Sequence, residues 1–130
     1  MKKLALIVTA ALIATPVMAA DPVLGIWQTA KDDNGNYGHI EMATCGSKIC
    51  GKLVKSFKSN GSAGSTDNIG KNIVWDMTDS GGGAYGGGKI WSPDRDKTYK
   101  SKMQLNGDMI NVKGCIAFIC RDGGTWTRVN

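Results

Sequence analysis

The stretch Lys97-Thr98-Tyr99-Lys100-Ser101-Lys102-Met103-Gln104-Leu105-Asn106-Gly107-Asp108-Met109-Ile110-Asn111-Val112 decides the fold. Tyr99, Ser101, Met103 and Leu105 alternate with Thr98, Lys100, Lys102 and Gln104. A period of two marks a half-buried strand, because successive side chains of an extended chain point to opposite faces. Asn106-Gly107 follows. Asn-Gly is a strong hairpin signal, since a type I′ turn needs positive φ at both central positions. A two-residue loop there predicts Met103 opposite Ile110 and Ser101 opposite Val112 on a mainly apolar face. Lys102 then faces Asn111, and Lys100 faces Lys113, on the polar side.

The same reading extends in both directions. A turn at Asn34-Gly35 predicts Trp27 opposite Met42 and Thr29 opposite Ile40, with Trp27 pointing inward and Gln28, Ala30, His39 and Glu41 on the other face. A turn at Ser47-Lys48 predicts Cys45 opposite Cys50 and Met42 opposite Leu53, which puts both cysteines on the outer face. Cys115 and Cys120 repeat the C-x4-C frame, and alternation from Val112 places Cys115 outside as well. Four cysteines allow three connectivities. The hairpins favour Cys45–Cys50 and Cys115–Cys120, because each brings its own pair together. C-x4-C frames within strands and a lone His39 do not make a zinc site, and the redox C-x-x-C is absent, so neither a metal nor a cofactor is expected. In the last strand a strict register exposes Trp126. A β-bulge at Gly123-Gly124 reverses the parity, sets Trp126 opposite Ile110 and puts Arg128 on the same inner face.

Strands are predicted at 24–31, 37–45, 49–57, 71–78, 87–92, 97–105, 109–116 and 123–129. Eight antiparallel strands joined by short turns predict an all-β chain, a small up-and-down barrel, with a β-sandwich as the alternative. The polar stretch 58–68 is the longest connection and reads as a plain surface loop, with a rim or lid as the alternative. Ahead of the strands, Lys2-Lys3, the apolar run Leu4–Ala14 and the small residues before Ala20 have the pattern of a secretory leader. The run is shorter than the ~20 residues a membrane span needs, so no stable membrane anchor is expected. The expectation is a cleaved leader at 1–19 and a single barrel domain at 20–130. Without Lys2 and Lys3, fourteen basic residues face eleven acidic ones, a mild balance that does not imply nucleic acid.

No reaction is specified. Gly83-Ala84-Tyr85-Gly86-Gly87-Gly88-Lys89 approaches a phosphate-binding loop, but Ile90 stands where Ser or Thr would hold magnesium, and a strand follows instead of a helix. Gly86 to Gly88 instead read as a flexible turn that permits a close backbone approach or a bend. Asp94-Arg95-Asp96 begins like a calcium loop, yet Leu105 occupies the twelfth position. His39 and Glu41 lie on the polar face, and the serines of 59–66 have no positioned His partner. No catalytic residue is assigned, and the chain does not read as an enzyme. Trp27, Trp75, Tyr85, Trp91, Met103 and Ile110 are the candidates for lining an interior pocket. The competing reading is a barrel filled by its own side chains.

Gly25-Ile26-Trp27, Cys45-Gly46, Ile49-Cys50-Gly51-Lys52-Leu53-Val54, Gly87-Gly88-Lys89-Ile90, Pro93-Asp94, Lys97-Thr98-Tyr99, Val112-Lys113-Gly114-Cys115, Ile119-Cys120-Arg121 and Thr125-Trp126-Thr127-Arg128 occur in that order. This set resembles the small secreted bacterial proteins designated domain of unknown function 2147, over nearly the whole chain after the leader. The segment 55–85 is shorter and richer in Gly and Ser than the resemblance implies. That family is similar to lipocalins and other calycin barrels, in which a Gly-x-Trp on the first strand meets an Arg on the last. Gly25, Trp27 and Arg128 match that feature, and Trp126 joins them at the barrel closure. The resemblance implies a periplasmic or secreted bacterial protein that binds an apolar or amphipathic small molecule. Its alternative is an envelope protein-interaction module or inhibitor with a filled barrel.

Overall fold

The computed structural model describes residues 21–130. The expected leader at 1–19 lies outside the described residues. Among these, eight strands run β1 Gly25–Gln28, β2 Tyr37–Cys45, β3 Lys48–Phe57, β4 Asn72–Gly81, β5 Ala84–Ser92, β6 Lys97–Asn106, β7 Met109–Ile116 and β8 Ile119–Arg128. Each pairs antiparallel with the next, and β1 pairs with β8 through Trp27↔Arg128 and Gln28↔Thr127. The sheet is therefore a closed up-and-down barrel and not a sandwich. Closure removes both edges and gives every strand a partner on each side.

Along β2, β3, β6 and β7 the inward residues are those the alternation selects, whereas β4 and β5 change parity near Asp76, with φ 55°, and between Tyr85 and Gly88. Trp27, Ile40, Met42, Leu53, Val74, Met77, Tyr85, Met103, Ile110, Val112 and Trp126 are all buried in one cluster. Each such side chain contributes roughly 1.5–3 kcal/mol by leaving water. Ser101 is the buried polar residue on this face, and its hydroxyl donates to the carbonyl of Lys113 at 3.2 Å.

Three expected registers are displaced by two residues. The β6–β7 turn is Gly107-Asp108, not Asn106-Gly107, so Met103 pairs with Val112 and Lys102 with Lys113. Gly107 has φ 61° and Asp108 is not among the residues with positive φ, so the glycine takes the first central position, which a type II′ turn requires. Gly46, with φ 61°, does the same at the β2–β3 turn. Met42 therefore meets Gly51, and Cys45 meets Lys48. In the first hairpin Trp27 pairs with Ile40 and Gly25 with Met42. There the connection is wider than two residues: the Asp32 carboxylate accepts from the N–H groups of Asn34 and Asn36, both at 2.9 Å, and Gly35 adopts φ 80°. A shift of two preserves the faces, because the side-chain period is two.

The bulge in β8 has the geometry read from Gly123-Gly124. Asn111 pairs with Thr125 but Lys113 with Asp122, which leaves Val112 opposite both glycines and turns Trp126 onto Ile110. Gly86 to Gly88 lie inside β5 rather than in a turn, with an irregularity between Tyr85 and Gly88. A Cβ at Gly88 would run into the carbonyl oxygen of Trp75 and the Met77 sulfur. The polar connection between β3 and β4 is folded back on β3 by hydrogen bonds from Gly64 N to the Ser56 carbonyl and from Lys58 N to the Ser62 carbonyl, at 2.8 and 2.9 Å.

Candidate functional site

The two ends of the barrel are built differently. At one end lie the turns 46–47, 82–83 and 107–108 together with both termini of the described chain. Gly25, with φ 129°, lets the backbones meet there: a Cβ would stand 2.5 Å from the Asn130 carbonyl oxygen and 3.1 Å from Arg128 Nη1. Trp27 is fully buried and donates its indole N–H to the carbonyl of Val23 at 2.8 Å. The Arg128 guanidinium sits 4.2 Å from the Trp27 ring centroid. It also donates to the Leu24 carbonyl at 3.1 Å, the Pro22 carbonyl at 2.6 Å and the Asp108 carboxylate at 3.1 Å. A planar five-donor fork suits this combination of stacking and carbonyl binding. The segment 21–24 thereby becomes a plug. Val23 is fully buried, and the Tyr85 hydroxyl donates to the Asp21 carboxylate. Burial and that bond push the Tyr85 phenol well above its ordinary range. The plug was invisible to strand-pattern reading. Its one signal is the apolar pair Val23-Leu24 standing just before Gly25.

Of the six lining candidates, Trp27, Tyr85, Met103 and Ile110 come together in the buried core. Trp75 and Trp91 do not join them. Val74 and Ile90 take the inward positions of that strand pair, which leaves Trp75 opposite Lys89 on the outer wall. Trp91 pairs with Thr98 and touches only the edge of the core. Its indole N–H donates to Asp96 at 3.0 Å, and Lys71 Nζ lies 5.5 Å from its ring centroid.

At the opposite end, the mouth, lie the loop 29–36, the connection 58–71 and the turns 93–96 and 117–118. Ile90 and Tyr99 are cross-strand partners on the inner register, and both are only half-buried. The inner wall is thus fully covered toward the plug and partly exposed toward the mouth. On the outer rim Tyr37 stacks on Phe57 at 4.9 Å between ring centroids, and His39 tilts against Phe57 at 4.7 Å. His39 also shares a hydrogen bond with Gln28 at 3.2 Å. Burial first, and then the Lys55 charge, hold the imidazole below its usual range. It meets no carboxylate in these contacts.

Cys45–Cys50 and Cys115–Cys120 are disulfide-bonded, with Cα separations of 5.8 and 4.0 Å. Cys115 and Cys120 are direct cross-strand partners, whereas Cys50 pairs with Ala43, so the first bond runs diagonally. Cys50 and Cys115 occupy outer register positions, as expected, and both are buried there by their surroundings. Two disulfides fit an extracytoplasmic protein. Among the described residues, no group of three His, Cys, Asp or Glu side chains is placed to hold a metal ion, and no helix is long and apolar enough to cross a membrane.

With the Gly25–Trp27–Arg128 closure in place, the family profile matches residues 25–128, under the description of an uncharacterized protein conserved in bacteria, DUF2147. The chain belongs to the DUF2147 family. A solved Helicobacter pylori protein, described as belonging to the lipocalin family, superposes with a TM-score of 0.65 at 17% identity, covering 82% of each chain. At that identity the likeness is one of fold. No curated protein matches the chain. This DUF2147 barrel is thus lipocalin-like, with one end plugged by its own N-terminal segment.

Proposed function

We propose that this protein is an exported, non-enzymatic binding protein that takes an apolar or amphipathic small molecule at the mouth of its barrel. One observation carries the reading: the inward side chains change from fully buried Trp27 and Ile110 near the plug to half-buried Ile90 and Tyr99 near the mouth. A ligand entering between the loops meets an apolar wall with the Tyr99 hydroxyl available to orient it, the usual composition of a small-molecule site. Trp27, Tyr85, Met103 and Ile110 form the floor of that site, not its walls. Shared architecture with a lipocalin-family protein supports the reading, and fold likeness alone does not specify a ligand. The leader pattern at 1–19 and the two disulfides support the export part of this reading.

Native mass spectrometry of protein purified from its own envelope tests both parts. A chain lacking residues 1–19 and carrying an adduct lost on denaturation is the expected result. Retained Met1 refutes export. A bare mass, together with no fluorescence response of a bound naphthalene-sulfonate dye to Tyr99→Asp, refutes the mouth site.

A further inference from the structure

The outer wall of β5, β6 and β7 gathers positive charge without partners. Lys89 pairs directly with Lys100, and Lys102 with Lys113. Like charges directly opposite each other in a sheet disfavour the pairing, so the arrangement needs compensation from elsewhere. Among the described residues the one salt bridge is Arg128–Asp108, and none of the four lysines enters it. Asp122 stands opposite Lys113, but its carboxylate is engaged by the N–H of Gly124 at 2.8 Å and the amide of Asn111 at 3.2 Å.

The same wall ends in an exposed apolar tip. Ile116, Phe118 and Ile119 flank the β7–β8 turn and are 66%, 102% and 73% exposed. Phe118 is in the tip of a turn stapled at its base by Cys115–Cys120, and Ala117 takes φ 53° to present it. Phe118, Lys89, Lys100, Lys102 and the disulfide border one outward-facing hollow of 380 Å³. Half-buried Trp75 continues the row beyond Lys89. Water rewards neither feature: the charges repel one another and the tip remains hydrated.

We propose that this wall docks reversibly on the surface of an anionic phospholipid bilayer, with the lysines over the headgroups and the Ile116–Phe118–Ile119 tip in the interface. An acidic polymer answers only the lysines, whereas a bilayer answers charge and apolar tip together. The tip lies on the rim of the mouth end, but the proposal does not rest on the mouth site, since docking needs no bound cargo.

Co-sedimentation of the exported chain with vesicles tests it, using phosphatidylcholine alone and a three-to-one mixture with phosphatidylglycerol, each at low and high sodium chloride. Retention should be at least tenfold stronger on the anionic vesicles and should weaken with salt, because surface attraction fades within a Debye length. Each lysine near the surface is worth about fivefold, so Lys100→Ser with Lys102→Ser should lose about 25-fold. Phe118→Ser should lose about tenfold or more at unchanged melting temperature. Lys52→Ser, on the far wall opposite Glu41, should change nothing. Equal retention on both vesicles, or none on either, overturns the proposal. So does wild-type retention by the Phe118→Ser variant, which would leave the lysines alone as the attraction and the tip without a part in it.

Discussion

Replacing Arg128 by Met tests the closure of the barrel most directly. The side chain keeps its length and its stem but loses the guanidinium. Three interactions then vanish together. The stacking of charge on Trp27 at 4.2 Å is worth about 0.5–2 kcal/mol. The bonds to the carbonyls of Leu24 and Pro22 are charge-assisted, and losing them returns two acceptors to partial solvation at about 1 kcal/mol each. The pair with Asp108 adds less than about 1 kcal/mol, because that carboxylate is 85% exposed. The expected loss is about 3 kcal/mol. At about 4–8 °C per kcal/mol for a domain near 100 residues, the melting temperature should fall by roughly 12–24 °C. Arg128→Lys should recover less than half, since an ammonium cannot stack and fork at once. A double-mutant cycle with Trp27→Leu should return a coupling of about 1 kcal/mol, read by urea unfolding. A fall under about 3 °C for Arg128→Met, or zero coupling, refutes the view that this contact seals the barrel.

Three further outcomes follow from the same geometry. Cys45→Ser with Cys50→Ser opens a loop of sequence separation 5, so chain entropy predicts a loss of only about 2 kcal/mol, and reduced protein should remain folded by circular dichroism at room temperature. Gly88→Ala should cost about 2 kcal/mol or more in urea, because the new methyl meets the Trp75 carbonyl and the Met77 sulfur, whereas Gly86→Ala, with open space around it, should be near neutral. Tyr85 supplies a signed pH effect. Its folded phenol holds its proton above the ordinary value of 10.0, because of burial and then the Asp21 bond. An unfolded chain releases that proton near 10 and the fold does not, so stability is intact below pH 10 and falls above it. Tyr85→Phe should flatten the alkaline limb of a melting-temperature profile; an unchanged limb contradicts the assignment.

Side-chain facing was legible in most strands and the register of three hairpins was not, for one physical reason. Alternation fixes parity, and parity survives any slip of two residues. Trp27, Met103 and Ile110 were thus placed inside even though the pairing of each across its own hairpin turn was displaced. The slip itself depends on which central turn position takes positive φ. Asn-Gly puts glycine second by local preference, while Gly107 stands first in the fold. The Asp108 that follows supplies the compensating gain: its carboxylate and carbonyl both bind Arg128, a residue 20 positions away that no local rule consults.

Trp75 and Trp91 mark the other limit. Both are large and apolar, so composition assigns them to the interior, but a narrow eight-stranded barrel has room for only so many bulky side chains. The base already holds Trp27, Met42, Met77, Tyr85, Ile110 and Trp126, and Gly51 and Gly88 are glycine because neighbours occupy the space a side chain would need. Crowding on the inside therefore expels two indoles to positions beside Lys89 and Lys71. The sequence contained every residue of that outer wall, and a period of two would have placed Lys100 and Lys102 together. What it lacked was the β5–β6 register and the irregularity between Tyr85 and Gly88, which bring Lys89 beside Lys100 and the apolar tip beside both. The core is thus a property of pattern, whereas the surface chemistry of this barrel is a property of how its irregularities bring neighbouring strands into line.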